Sequence, residues 1–219
     1  MKKFLLLVLL FVMCGSFVAA QNDIIVTRFL EIPVGGPRAE VAKMLRIRGF
    51  RAVRDYFTGT FNGEKVDVYV QYNSIRNVWR IVVADQNPRD EVGIKIRFNN
   101  LIQQFLNNKK YIHINGEVIS EDEDIRNGIL NEKKRYQAVF GQLNSADTLA
   151  VRKKISEKYS AEQLANLSAE QIADESLRIL YDIVEQRKVW FMIDGKYGDY
   201  RILMYYENGY NNPSNGEDL

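Results

Sequence analysis

Few residues in this chain have the type and spacing to do chemistry. His113 is the only histidine, and histidine is the side chain whose unperturbed pKa lies nearest neutrality. It sits in Tyr111-Ile112-His113-Ile114, which reads as a strand with the imidazole pointing away from Ile112 and Ile114. A catalytic triad needs a nucleophile and an orienting group beside the ring. No Gly-x-Ser-x-Gly elbow is present to supply the nucleophile, so His113 is expected on the solvent side of its strand. The acidic run Glu121-Asp122-Glu123-Asp124 has the charge for calcium, but a calcium loop started at Asp122 places Arg126 and Asn127 where a ligand and a glycine belong. The run instead reads as the negatively charged start of a helix. Asp194 and Asp199 flank a turn in the manner of a glycosidase pair, although aspartates favour turns for conformational reasons alone. Gly59 to Lys65 contains Gly-x-x-x-Gly-Glu-Lys and lacks the Gly-Lys-Ser/Thr ending of a phosphate loop.

The tyrosines are the more informative population. Tyr197, Tyr200, Tyr205, Tyr206 and Tyr210 fall within 14 residues, and Tyr69 lies on the polar side of an alternating strand. Tyrosine joins a large apolar ring to a polar tip and is enriched at protein interfaces. These six residues form a candidate binding surface, on condition that they face outward and are not covered by helices or a second subunit.

The elements that would position them follow from periodicity. After the run Ile24-Ile25-Val26, a helix is expected from Pro37 to Gly49, with Ala39, Ala42 and Leu45 on one face. Strands are expected over Tyr56–Phe61, Lys65–Tyr72 and Val78–Ala84, the first two joined by the hairpin signal Asn62-Gly63. Val66, Val68 and Val70 share the apolar face of the second. Ile94, Phe98, Leu101 and Phe105 make a core-facing stripe on a helix over about residues 90–107. Further strands are expected at Tyr111–Ile114 and Tyr136–Gln142, and a capping box at Ser120 should open a short helix between them. Residues 145–188 are rich in helix formers, with capping boxes at Ser160 and Ser168. Ile172, Leu180, Ile183 and Val184 line one side of the last helix. A closing hairpin pairs Val189–Ile193 with Tyr200–Tyr206. The fold class is therefore α+β: an antiparallel sheet from two αβββ units with helices on one face. The first unit spans about residues 29–88 and the second about 89–208, with a helical insertion at about 145–188. A polar tail, 209–219, closes a single domain over 21–219.

Composition narrows the function classes. Lys2 and Lys3, the apolar Phe4–Met13 and the small residues Val18-Ala19-Ala20 form an export signal over residues 1–20, cleaved before Gln21. Cys14 follows Met13, where lipidation asks for a small residue, so a soluble periplasmic or secreted product is favoured over a lipoprotein. Without Lys2 and Lys3, the 30 basic residues become 28 against 28 acidic ones. A neutral chain lacks the charge of a general nucleic-acid or acidic-membrane binder. Loss of Cys14, the one cysteine, removes disulfides, thiolate nucleophiles and cysteine-held metals. One histidine excludes a histidine-cluster metal site. No cofactor is implied, and no stretch beyond the signal is apolar enough to span a bilayer.

Val189-Trp190-Phe191, Tyr205-Tyr206, Tyr210-Asn211 and the terminal Asn215-Gly216-Glu217-Asp218-Leu219 resemble a family of exported bacterial proteins of unknown function. Val78-Trp79-Arg80-Ile81 and Ile94-Lys95-Ile96-Arg97-Phe98-Asn99 are similar to the same family. That resemblance implies an exported α+β protein and carries over no catalytic residue. A more distant likeness, at the level of fold, is to tandem αβββ modules such as the β-lactamase inhibitor protein and the BamE assembly lipoprotein, which are non-catalytic. The expected function is an exported binding module for another envelope or secreted protein. An envelope hydrolase using a carboxylate pair and a small-ligand sensor are the alternatives.

Overall fold

The computed structural model describes residues 25–213; residues 1–24, which hold the expected export signal, and 214–219 lie outside them. Helix (38%) and antiparallel strand (32%) are both substantial, so the chain is α+β. It forms two compact units, one of Val26–Ser145 with Tyr181–Leu219 and the other containing Ala146–Leu180.

The larger unit is built on an eight-stranded antiparallel sheet. Its strands are β3 (Arg51–Val53), β4 (Tyr56–Phe61), β5 (Glu64–Tyr72), β6 (Val78–Asp85), β7 (Tyr111–Asn115), β8 (Gln137–Gln142), β9 (Lys188–Lys196) and β10 (Asp199–Glu207), in the spatial order β3-β4-β5-β6-β10-β9-β8-β7. A small hairpin, β1 (Arg28–Phe29) and β2 (Ile32–Pro33), precedes them. Each half of the sheet contributes four strands after its first helix, where the αβββ pattern has three, and further helices interrupt the strands of the second half. The extra strand of the first half is β3. Its three residues follow Arg46, Arg48 and Gly49 and carry no alternation, so its pairing with β4 leaves no mark in the sequence. The last strands of the two halves, β6 and β10, pair antiparallel at the centre.

One face of this sheet is the core. Helix α1 (Arg38–Ile47) buries Val41 and Leu45, while Ala39, expected on that face, is exposed. The i, i+4 pair Val41/Leu45 offers larger apolar side chains to the valines of β5 than the alanine does. Helix α2 (Glu91–Asn107) begins at Asp90, whose carboxylate accepts from the Gly93 amide at 2.8 Å. It buries Ile94, Phe98, Leu101 and Phe105 as expected, together with Ile102 and Arg97. Phe98 and Phe105 meet Phe191 of β9 at ring-centre distances of 5.2 and 5.6 Å. Arg97 is held by Asp85 at 3.1 Å, and both are buried. Phe29 of the first hairpin closes the same face against Phe50, Phe61 and Tyr206.

Asn62-Gly63 makes the expected two-residue turn, with φ of 51° and 79°. Tyr197-Gly198 makes a second one (φ 60° and 96°), between the paired Lys196 and Asp199. Helix α3 (Ile125–Leu130) starts later than expected. Its cap is Asp124, whose carboxylate accepts from the Asn127 amide at 2.7 Å, and not Ser120.

In the smaller unit, α4 (Asp147–Lys158) and α5 (Ala161–Ala165) precede α6 (Ala169–Val184), which runs on into the larger unit. Both expected capping boxes form. Ser160 and Ser168 accept from the amides of Gln163 and Gln171, whose side chains return the bond. Glu175 joins Lys158 to Arg178 at 2.7 Å each, and these partners, Arg178 first, lower its carboxyl to about 2. No helix among the described residues is long and apolar enough to cross a membrane.

Candidate functional site

The residues picked for acid, base or metal chemistry are dispersed and engaged. His113 lies on the core side of β7, opposite Phe140 in the register, and its ring sits 5.3 Å from that of Phe140. The expected solvent-side placement is therefore corrected, because pairing with β8 fixes which side faces α2. Its Nε2 donates to the Gly116 carbonyl at 2.7 Å, and the Tyr181 hydroxyl donates to its own carbonyl at 3.2 Å. Glu123 accepts from the Tyr136 hydroxyl and from Lys134 at 3.0 Å. These two lower its carboxyl, Tyr136 first. No group of three or more His, Cys, Asp or Glu residues that could hold a metal occurs among the described residues. Asp194 and Asp199 are exposed near the tip of the β9–β10 hairpin, where Asp194 stands directly across from Arg201. Among the described residues, the carboxyl shifts that are resolved all run downward, at Glu31, Asp122, Glu123 and Glu175. A hydrolase acid needs the opposite shift. Gly59 to Lys65 lies within the β4–β5 hairpin. A shallow surface depression is lined by Asn100, Gln103, Gln104, Asn107, Asn108 and Lys109 along the outer side of α2.

The six tyrosines separate. Tyr200 and Tyr206 belong to the core face of β10, at 1% and 3% exposure, so they leave the candidate surface. Burial pushes the Tyr206 hydroxyl well above the ordinary tyrosine value. Tyr197 is exposed in its turn and Tyr210 is exposed in the 3-10 turn Gly209–Asn211. Tyr69 and Tyr205 come together on the outer face, opposite α1 and α2.

The registers make a row there. Tyr56, Tyr69, Val82, Tyr205, Trp190 and Val139 stand side by side across six strands, from β4 at one end to β8 at the other. Cross-strand neighbours of this kind touch through their side chains. Tyr56 and Tyr69 have ring centres 5.4 Å apart, and Trp190 and Tyr205 stack at 3.9 Å with planes within 9°. The Arg80 guanidinium lies 5.4 Å from the Tyr205 ring and 4.0 Å from that of Trp79. It also pairs with Glu207 at 2.5 Å. The adjacent row holds Thr58, Asp67, Ala84, Leu203, Met192 and Gln137. Over β6, β10 and β9 the two rows are apolar throughout. Val82 and Ala84 of β6 are buried at 8% exposure, whereas Tyr69 is 41% exposed and Trp190, Tyr205, Met192 and Leu203 remain partly accessible.

The chain matches no protein-family model, no curated protein and no solved structure.

Trp190, Met192, Leu203, Tyr56 and Arg80 were absent from the expected surface. A signal for them existed. Val189-Trp190-Phe191-Met192-Ile193 and Ile202-Leu203-Met204-Tyr205-Tyr206 are unbroken apolar runs, whereas β5 alternates apolar with polar. An antiparallel strand with one wet face alternates, so an unbroken run signals a second apolar surface.

Proposed function

We propose that this chain is an exported, non-catalytic interaction module whose outer sheet face docks a protein of the envelope or the secreted fraction. The observation that supports it is the Trp190–Tyr205 stack at the centre of the cross-strand row, apolar and partly accessible on β9 and β10. Apolar surface left partly accessible on β9 and β10 is the kind that interaction sites use. Its surroundings also suit an interface. The apolar centre is bordered at one end by Arg80, Glu207 and Lys188 and at the other by Lys65, Arg201 and Asp194, and a charged rim around an apolar centre is the ordinary anatomy of a protein–protein contact.

The test uses the chain from Gln21 onward, which keeps every described residue. Presented to its own envelope and culture supernatant with a photo-crosslinking residue in place of Met192, it should form a discrete protein adduct. Trp190→Ala and Tyr205→Ala should each abolish the adduct while leaving the circular dichroism spectrum intact. An adduct equally strong in the two alanine variants, or none at all, overturns the reading.

A further inference from the structure

We propose that Asn115-Gly116, at the end of the edge strand β7, is a site of self-modification. The backbone nitrogen of Gly116 attacks the side-chain amide of Asn115, and water converts the resulting succinimide to aspartate and isoaspartate.

The sequence holds five Asn-Gly pairs, beginning at Asn62, Asn115, Asn127, Asn208 and Asn215. Such pairs are open to this reaction because glycine has no side chain to shield its nitrogen and its backbone turns freely. Asn215 lies outside the described residues. The fold treats the other four differently. Asn208 is fully buried, and its Oδ1 accepts from the Tyr210 amide at 3.0 Å, one residue beyond the glycine. In α3, the Gly128 nitrogen donates back to the Asp124 carbonyl at 2.9 Å and is committed to the helix. The Asn127 side chain is tied as well, through Nδ2 to Glu132 at 2.6 Å and through Oδ1 to Asn131 at 2.8 Å. Asn62 has its leaving group engaged, since its Nδ2 donates to Gln104 at 2.7 Å.

Asn115 has none of these restraints. It is exposed, and its Nδ2 donates to no described group. The Gly116 N–H is turned onto its side chain and donates to Oδ1 at 2.8 Å. A C=O bond is about 1.23 Å long, so the nitrogen stands within about 4 Å of Cγ, the carbon it must reach. Holding the reacting atoms close to contact is what makes an intramolecular step fast. The glycine is fixed from its other side. His113 Nε2 donates to the Gly116 carbonyl at 2.7 Å. Gly116 has φ of 101°, and a Cβ there would stand 2.5 Å from the backbone of Ala138 and Gln137. The packing that demands glycine at 116 therefore keeps the attacking nitrogen unshielded.

The step balances with water as its co-reactant. Gly116 N–H gives its proton to solvent, the nitrogen bonds to Cγ, and Nδ2 takes up a proton and leaves as ammonia. Nothing is oxidised or reduced. Water then opens the ring. Opening at Cγ gives aspartate; opening at the main-chain carbonyl gives isoaspartate, whose backbone runs through Cβ and Cγ. Isoaspartate lengthens the chain beside Gly116, which has no room to shift toward Ala138. Either product sets a carboxylate close to Glu117. The lengthened chain breaks the His113–Gly116 bond, and the His113 carbonyl is where the Tyr181 hydroxyl holds β7 to α6. Modification therefore loosens the edge strand.

The experiment incubates the chain from Gln21 onward for weeks at neutral pH. Each Asn-Gly pair is followed by mass spectrometry of tryptic peptides, with fragmentation that tells isoaspartate from aspartate. Asn115 should convert at least about tenfold faster than Asn62, Asn127 or Asn208. In denaturing urea, where the fold no longer orients the amides, these rates should converge. Conversion at Asn62, Asn127 or Asn208 as fast as at Asn115, or the same ranking in urea, overturns the inference. Hydrogen exchange over β7 should quicken in step with isoaspartate at 115. Asn115→Gln, whose longer side chain closes a ring far more slowly, should keep native exchange through the same incubation. Equal quickening in that variant, or none in the converted wild type, overturns the loosening of β7.

Discussion

Strand β10 displays the two faces of the sheet in alternate residues. Tyr206 points into the core, at 3% exposure, where it meets the Phe29 ring at 5.0 Å. Tyr205 points the other way, stacks on Trp190 and remains partly accessible. The same contrast runs along β9, where Phe191 is enclosed by Phe98, Phe105 and Phe140 and its neighbour Trp190 is not. Both faces are apolar in these strands, yet only one is sealed by α1, α2 and the first hairpin. Composition therefore does not separate a core face from an accessible one. Cover does.

Four measurements would break or sharpen that contrast. The largest effect is expected for Phe191→Ala, which opens a cavity among Phe98, Phe105 and Phe140 and should cost roughly 3–5 kcal/mol in urea denaturation. Trp190→Ala, one residue away, should cost about 1 kcal/mol, in line with an accessible aromatic pair. Equal losses would mean that the outer face is core.

The next effect compares two aspartates. Asp85 is buried against Arg97, and removing one partner of a buried pair strands the other charge. Asp85→Ala should cost about 3 kcal/mol, because the part-exposed Arg89, which also reaches Asp85 at 3.6 Å, gains room to reorganise. Asp67 on the outer face accepts one bond from Gln86 at 2.7 Å, and Asp67→Ala should cost about 1 kcal/mol or less. A loss at position 67 as large as that at 85 would contradict the assignment of faces.

Alkaline titration gives a third comparison. Burial raises Tyr206 well above the ordinary tyrosine value of 10.0, and burial also raises Tyr205, which Arg80 partly offsets. A raised folded pKa favours the folded state below the unfolded value, and that advantage is lost as pH rises past 10 toward the folded value. Ultraviolet difference spectra should therefore show Tyr205 ionising while the chain is folded and Tyr206 ionising only with unfolding. Tyr206→Phe should delay the alkaline transition, and Tyr205→Phe should delay it less.

The smallest effect lies in the helical unit. The Glu175 carboxyl, held down by Arg178 and Lys158, should titrate near pH 2 by carbon-13 NMR. Its contribution to joining α4 and α6 is present above the unfolded value of 4.5 and is lost as pH falls toward 2. A midpoint at 4.5 would mean that the pair is not formed in solution.

Much of the local structure was legible in the residues. The Ile94/Phe98/Leu101/Phe105 stripe needs only helical spacing, and the Ser160 and Ser168 boxes need only contacts three residues apart. Asn62-Gly63 adopts the backbone that its residue types favour. The first hairpin was less legible, since Leu30 and Glu31 take positive φ (49° and 64°) without the usual glycine or asparagine. Its conformation comes from burial of Phe29 and Ile32 on either side. Asp124 displaced Ser120 as a helix cap because both are short polar side chains near one acidic run, and packing chose between them. The candidate surface was legible in residue type and not in membership: Tyr69 and Tyr205 belong to it, Tyr200 and Tyr206 do not, and Trp190 was missed.

What the sequence determined by itself was parity. Residues 205 and 206 must lie on opposite faces of any strand, because the side-chain period is two. It also determined helical faces, the best of the turns and the absence of a histidine cluster. The tertiary structure decided which parity is inside. That choice belongs to α1, α2 and the β1–β2 hairpin, which reach the sheet from distant parts of the chain, and to the register that sets Tyr205 beside Trp190 and His113 beside Phe140. Spacing along one strand records the alternation of its faces; only contacts across strands and layers record which face is covered.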